Sequence, residues 1–178
     1  MRKTGTLFGL GVMFLAMYSF GQNAPAAASA NNKHASTIVV QVNGLNCSTS
    51  LGQGSFDAEA WNFGATDNID ESTGAPVGKA VVGTLNVKKN WDDCSPELFL
   101  DTVSGKVLKT VTLTQSDKNT VLLTVTLTNA LLTSFQIGSS ESETRPMEKL
   151  SFDFQKICIQ DTNGGTTACF NKGAATGQ

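Results

Sequence analysis

Four cysteines carry the most definite chemistry in this chain: Cys47, Cys94, Cys158 and Cys169. An even set of thiols supports either disulfides or a thiolate metal site, and spacing separates the two. No two of them form a C-x-x-C pair, and the single histidine, His34, precedes them all. A structural zinc site draws on close ligand pairs of that kind. Disulfides are therefore expected, and no metal. Three connectivities are possible. Cys158–Cys169 is favoured, because the intervening IQDTNGGTTA contains Asn163-Gly164-Gly165, a turn signal that folds the chain back on itself. Cys47–Cys94 then follows by elimination.

Other chemistry is thin. With one histidine, a Ser-His-Asp or Cys-His arrangement could use only His34. No catalytic residue is expected, and the chain is not read as an enzyme. Asp67, Asp70 and Glu71 lie close together but lack the alternating acidic spacing of a calcium loop. They read as a solvated loop. Asp92-Asp93 sits just ahead of a helix start, where negative charge is favoured. Gly52-Gln53-Gly54 and Gly164-Gly165 lack a phosphate-loop pattern, so no cofactor is expected. Asn46-Cys47-Ser48 is a glycosylation sequon that conflicts with a buried disulfide at Cys47. Trp61 and Trp91 fit either of two uses, core residues or sugar-stacking platforms.

The elements that position these residues begin after an export signal. Met1-Arg2-Lys3 supplies a positive start, and residues 7–20 (LFGLGVMFLAMYSF) form an apolar run. A run of about 14 residues suits a signal peptide and is short for a membrane span. Cleavage is expected after Gly21 or after Ala30, so residues 1–30 are signal and lead-in. Removing Arg2 and Lys3 leaves 11 basic against 15 acidic residues, which takes the formal charge from −2 to −4. An acidic surface argues against nucleic acid or an anionic membrane as partner. About 150 residues remain, one domain's worth.

Short alternating runs with β-branched residues dominate this remainder. Strands are expected at residues 37–42, 56–63 and 80–89, with a polar loop over 64–78 that is long for a compact domain. Residues 107–114 place Val107, Val111 and Leu113 on one face; 121–128 place Val121, Leu123, Val125 and Leu127 opposite a threonine-rich face. Residues 116–119 turn between them. The last long strand spans 147–159, with an alternation slip near Gln155-Lys156 that points to a bulge. Between the strands lies one helix. Ser95 is expected as its N-cap, Pro96 in its first turn and Gly105 as its stop. Leu98, Phe99, Leu100 and Val103 are expected to supply its apolar contacts. Residues 161–178 read as a polar tail.

Several segments together resemble the haemolysin-coregulated protein (Hcp) family, the tube subunit of the type VI secretion system. Ala60-Trp61-Asn62-Phe63-Gly64 is similar to that family's tryptophan-bearing strand. Leu85-Asn86-Val87-Lys88-Lys89 followed by Ser95-Pro96-Glu97-Leu98 resembles its F-x-K-K…S-P-x-L passage. Gly105-Lys106-Val107 and Val111-Thr112-Leu113-Thr114 stand where the family has a glycine-ended helix and its next strand. Residues 127–135 (LTNALLTSF) resemble L-x-D-V-L-V-S-S-x, and 146–157 (PMEKLSFDFQKI) resemble P-x-E-x-V-S-L-N-F-x-K-I. The match runs over about residues 37–160.

The resemblance implies a mainly β fold: a small antiparallel β-barrel of two packed sheets with one short flanking α-helix. It implies a chain whose partner is itself, in a hexameric ring able to stack and to hold secreted effector proteins in its lumen. It also implies that the 64–78 loop reaches a neighbouring ring. The signal departs from the family pattern, since tube subunits assemble in the cytoplasm. An exported relative is therefore expected, in the periplasm or outside the cell, with no membrane contact after cleavage. The alternative is a secreted β-sandwich binding module or adhesin, with Trp61 and Trp91 as its ligand contacts.

Overall fold

The computed structural model describes residues 36–118 and 120–172. The signal segment and His34 lie outside the described residues. The elements are β1 (Ser36–Val42), β2 (Ser48–Thr49), β3 (Gly52–Gln53), β4 (Ser55–Ala58), β5 (Ala60–Asn62), β6 (Ala65–Thr66), β7 (Val81–Val82), β8 (Leu85–Asn90), α1 (Ser95–Ser104), β9 (Val107–Asp117), β10 (Thr120–Gly138), β11 (Met147–Asp161) and β12 (Thr167–Asn171).

The main sheet is antiparallel and runs β4-β1-β9-β10-β11-β8-β5. Its two ends belong to one stretch of chain. β4 pairs with β1, setting Phe56 opposite Val40, and β5 pairs with β8, setting Trp61 opposite Val87. The join is at Glu59, whose N–H donates to the Lys88 carbonyl at 2.8 Å. The sheet thus returns to its starting strand and forms a nearly closed barrel. Near-closure shortens the open edges that would otherwise invite pairing with other chains. The two packed layers are opposite walls of this single sheet.

Inside the wall sit Val40, Val42, Phe56, Leu85, Val87, Val111, Leu113, Val125, Leu127, Leu150 and Phe152, each no more than 2 % exposed. Alternation explains most of them and fails along one row. Leu108 and Val111 both point inward, as do Leu127 and Ala130, and Phe154 and Ile157. The two residues between each pair face outward. Thr128 stands opposite Thr110 and Lys156, and Ala130 opposite Leu108 and Phe154, so the slip crosses three neighbouring strands together. Asn129 takes φ 49° there, and its amide donates to Gln155 Oε1 at 2.8 Å. A shared irregularity of this kind bends a sheet without breaking its ladder.

The slip also corrects one inward assignment. Val107 is 61 % exposed, and Leu108 takes its place in the core. Two boundaries differ as well. Ala80–Val82 is not a continuation of β8: the chain breaks at Gly83-Thr84, and β7 pairs with β6 in a separate projection. Part of the segment after Asp161 is a strand rather than tail, because β12 pairs with β11 from Gln160↔Thr167 to Lys156↔Asn171.

Two glycines hold backbone that a side chain would disturb. Gly54, at φ 67°, has the Val42 carbonyl where a Cβ would lie, 2.5 Å away. Its own carbonyl accepts the Val42 N–H at 2.8 Å, which docks the β2–β3 hairpin on β1. Gly105, at φ 64°, ends α1 in the left-handed conformation and lets the Lys106 N–H reach the Asp101 carbonyl at 3.2 Å.

Candidate assembly surface and its polar anchors

The helix is fixed to the barrel by charge rather than by an apolar stripe. Its N-cap is Cys94, not Ser95; Ser95 is the first helical residue and is fully buried. Ser95 Oγ accepts the Asp92 N–H at 2.9 Å and a hydrogen bond from Lys89 Nζ at 3.0 Å. Lys89 Nζ also lies 2.9 Å from Glu148 Oε2, from Asp92 Oδ1 and from the Asn90 carbonyl. It stands 5.2 Å from the centre of the Phe56 ring. Lys89 and Glu148 are 0 % exposed and face each other across the β8–β11 ladder. A buried charge must be paired, and here one ammonium ties β8, β11, the connector and the helix start together.

At the other end of α1, Lys106 Nζ contacts both carboxylate oxygens of Asp101, at 2.9 and 3.1 Å. Asp101 is 2 % exposed. The inward side of α1 is therefore Ser95, Leu98 and Asp101, a mixed face with a single large apolar residue.

The apolar residues of the helix point the other way. Phe99, Leu100 and Val103 are 53 %, 55 % and 63 % exposed, so of the four residues expected to supply the helix's apolar contacts only Leu98 is buried. At about 100° per residue they fall within one arc of about 100°. Phe99 meets the edge of Phe135 on β10, ring centres 5.7 Å apart. Val107 and Ile137 are also exposed. The reason for the misplacement is local: with apolar residues at 98, 99, 100 and 103, more than half of the helix circumference looks hydrophobic. Burial is then decided by where Ser95 and Asp101 are anchored.

A second projecting feature is the 64–84 arm. β6 pairs with β7, Ile69 bridges to Pro76, and the Val77 N–H donates to the Asn68 carbonyl at 2.6 Å. The expected loop is thus a narrow β-arm with Ile69, Val77 and Val81 exposed along it. At its tip Asp70 closes an Asx turn. The Ser72 hydroxyl and the Ser72 N–H both donate to its carboxylate and hold its pKa below the usual range. No group of three His, Cys, Asp or Glu suited to a metal occurs among the described residues.

The other singled-out residues separate clearly. The structure holds Cys47–Cys94 and Cys158–Cys169 as disulfides. Cys47, inside the sequon, is nearly buried. Trp61 is a wall residue: its indole N–H donates to Gln115 Oε1 at 2.9 Å and its ring stacks on Phe63. Trp91 is 39 % exposed. Asp92 accepts the Cys94 N–H at 2.9 Å and pairs with Lys89, whereas Asp93 faces solvent. The Lys89–Glu148 pair is not evident from charge counts. Its signal is phase: Lys89 shares the inward phase of Leu85 and Val87, and Glu148 that of Leu150 and Phe152.

Known proteins of this shape share one theme. The family model described as "Type VI secretion system effector, Hcp" matches residues 29–160. Hcp1 from Salmonella typhimurium superposes with a TM-score of 0.64 at 18% identity, covering 78% of this chain and 96% of that one. A type VI secretion system effector from Yersinia pestis gives 0.62 at 22% identity, covering 75% and 98%. Hcp1 from Flavobacterium johnsoniae gives 0.56 at 15% identity, covering 76% and 98%. A comparison with curated proteins returns no match. At these identities the solved structures speak for the fold, and the family model, spanning most of the sequence, speaks for descent: this chain belongs to the Hcp family of the type VI secretion system.

Proposed function

We propose that this protein is an exported Hcp-type tube subunit that assembles with copies of itself into hexameric rings. The observation that carries this reading is the apolar arc of α1. Phe99, Leu100 and Val103, with Val107 nearby in sequence, stand half or more exposed on a domain whose own core is complete. A contiguous apolar surface with a polar surround favours burial against another protein. In this reading the α1 arc meets a neighbouring subunit within a ring. The β-arm, with Ile69, Val77 and Val81 exposed, then meets the next ring in a stack. Export through the N-terminal signal puts assembly in the periplasm or outside the cell, with the lumen open to secreted proteins there. The role is structural, and no residue is assigned to catalysis.

Electron microscopy of the mature protein tests this directly. Annular particles with a central opening are expected, and Val103→Asp should abolish them while leaving the circular dichroism spectrum unchanged. A field of single small particles at concentrations of tens of micromolar would overturn the proposal.

A further inference from the structure

An open cleft with a volume of about 580 Å³ lies beside Trp91, in the connector that leads into α1, and its lining includes none of the exposed apolar residues given to assembly above. Four parts of the chain build it. The β2–β3 hairpin gives Thr49 and Ser50, the β4–β5 bend gives Asp57 and Glu59, the connector before α1 gives Trp91 and Asp93, and the loop before β11 gives Arg145. That volume is within the range of small-ligand sites. A second large cleft, near Asn43 and Thr110, has no aromatic side chain in its lining.

Two properties mark the Trp91 cleft as a binding site. First, three of its charged side chains are free. Asp57, Asp93 and Arg145 have no hydrogen-bond or ion-pair partner among the described residues, although each is a strong donor or acceptor. Glu59 is engaged by the Asn90 amide at 2.7 Å and by Lys88 Nζ at 4.0 Å. Second, Trp91 lines the cleft and is 39 % exposed, while its backbone N–H, bonded to the Pro146 carbonyl at 2.9 Å, fixes its position. One exposed aromatic residue beside carboxylates, a guanidinium and the Ser50 hydroxyl is complementary to a molecule with an apolar face and a hydroxylated rim. A pyranose has that form: its C–H face stacks on an indole, and its hydroxyl pairs accept and donate in the bidentate manner that carboxylate and guanidinium favour. An excess of carboxylates over one arginine excludes acidic sugars. A lining in which polar groups predominate disfavours lipids.

We infer that this cleft binds a neutral hexose oligosaccharide, with Trp91 as the stacking platform. The Cys47–Cys94 disulfide belongs to the site's construction. Cys47 directly precedes β2, and Cys94 directly follows Asp93, so the bond clamps the hairpin wall to the Trp91 wall. A site held in this way suits a compartment where disulfides persist.

Isothermal titration of the mature protein with cellotetraose, maltotetraose and chitotetraose tests the inference. At least one of the three should bind with a Kd below about 1 mM, and tetragalacturonate should not bind. Trp91→Ala should weaken binding at least about tenfold, Trp91→Phe should retain most of it, and Asp93→Asn should weaken it several-fold. Both Trp91 and Asp93 are exposed, so these variants should keep the parent's thermal midpoint and oligomeric mass. Absence of binding by all three neutral tetrasaccharides, or unchanged affinity in Trp91→Ala, would overturn the inference. Either result leaves the ring proposal standing, because the readout is independent of particle mass.

Discussion

The two sides of α1 reverse the usual arrangement of a surface helix. Its inward side carries Ser95 and Asp101, bonded to Lys89 and Lys106, with Leu98 as its one large apolar residue. Its outward side carries Phe99, Leu100 and Val103. A helix that only had to stabilise its own domain would place those apolar residues underneath. The difference separates two tasks. Hydrogen bonds from these ammonium groups are directional and fix where the helix sits. The apolar residues are left for contact with something else. A buried ion pair is weak evidence for stability as such, since a well-packed apolar pair can do as well. Positional definition of the outer face is the benefit it offers here.

The largest effect should come from breaking the inner side. Glu148→Ala leaves Lys89 charged and buried without its cross-strand partner, and should cost about 3–5 kcal/mol in urea unfolding. The double variant Lys89→Met, Glu148→Leu should recover most of that loss. If it also lowers assembly, the ionic bonds are shown to act on position. Next, removing Cys47–Cys94 by paired Cys→Ser changes should cost about 4 kcal/mol, because its separation of 47 closes a long loop. Removing Cys158–Cys169, with a separation of 11, should cost about 3 kcal/mol. Non-reducing peptide mapping of the purified protein should recover both links.

The two sides can then be compared at single leucines. Leu98→Ala should destabilise the subunit by about 3 kcal/mol, as expected for a fully buried leucine. Leu100→Ala should stay within about 0.5 kcal/mol in the isolated subunit. Equal losses at the two positions would abolish the distinction drawn above.

The smallest effect concerns Asp153 on β11. Burial raises its pKa, but the hydrogen bond from Lys172, the Phe154 N–H and the Lys172 charge together outweigh burial and leave it lowered. A carboxylate with a depressed folded pKa contributes stability above its unfolded pKa and loses it as pH falls through the folded value. The acid limb of the stability curve should therefore be slightly shallower in Asp153→Asn, with no change at neutral pH beyond loss of the Lys172 contact.

Much of this was legible from local pattern. β1, β8 and the β9–β10 hairpin follow their alternation, and the Ser95-Pro96…Gly105 sequence brackets α1. The failures have physical causes. Alternation alone puts Val107 inward, because the irregularity that inverts β9 is shared with Asn129 and Gln155 far along the chain. A helical wheel puts Phe99 and Leu100 inward, because it cannot weigh anchors supplied by Lys89 and Lys106. The 161–178 segment looks like tail, because β12 is only five residues long and pairs with a single neighbour, β11, across the turn at Asn163-Gly164-Gly165. The cleft at Trp91 draws on four separate stretches, and only Trp91 and Asp93 could be noticed beforehand.

Native mass spectrometry of the mature protein, side by side with Val103→Asp, tests the exposed helix face most directly. The wild type should fly as a hexamer at about 10 µM, in the usual range of specific self-association, and the variant as a folded monomer. A wild type that stays monomeric, or a variant that assembles equally well, would contradict the role given to Phe99, Leu100 and Val103.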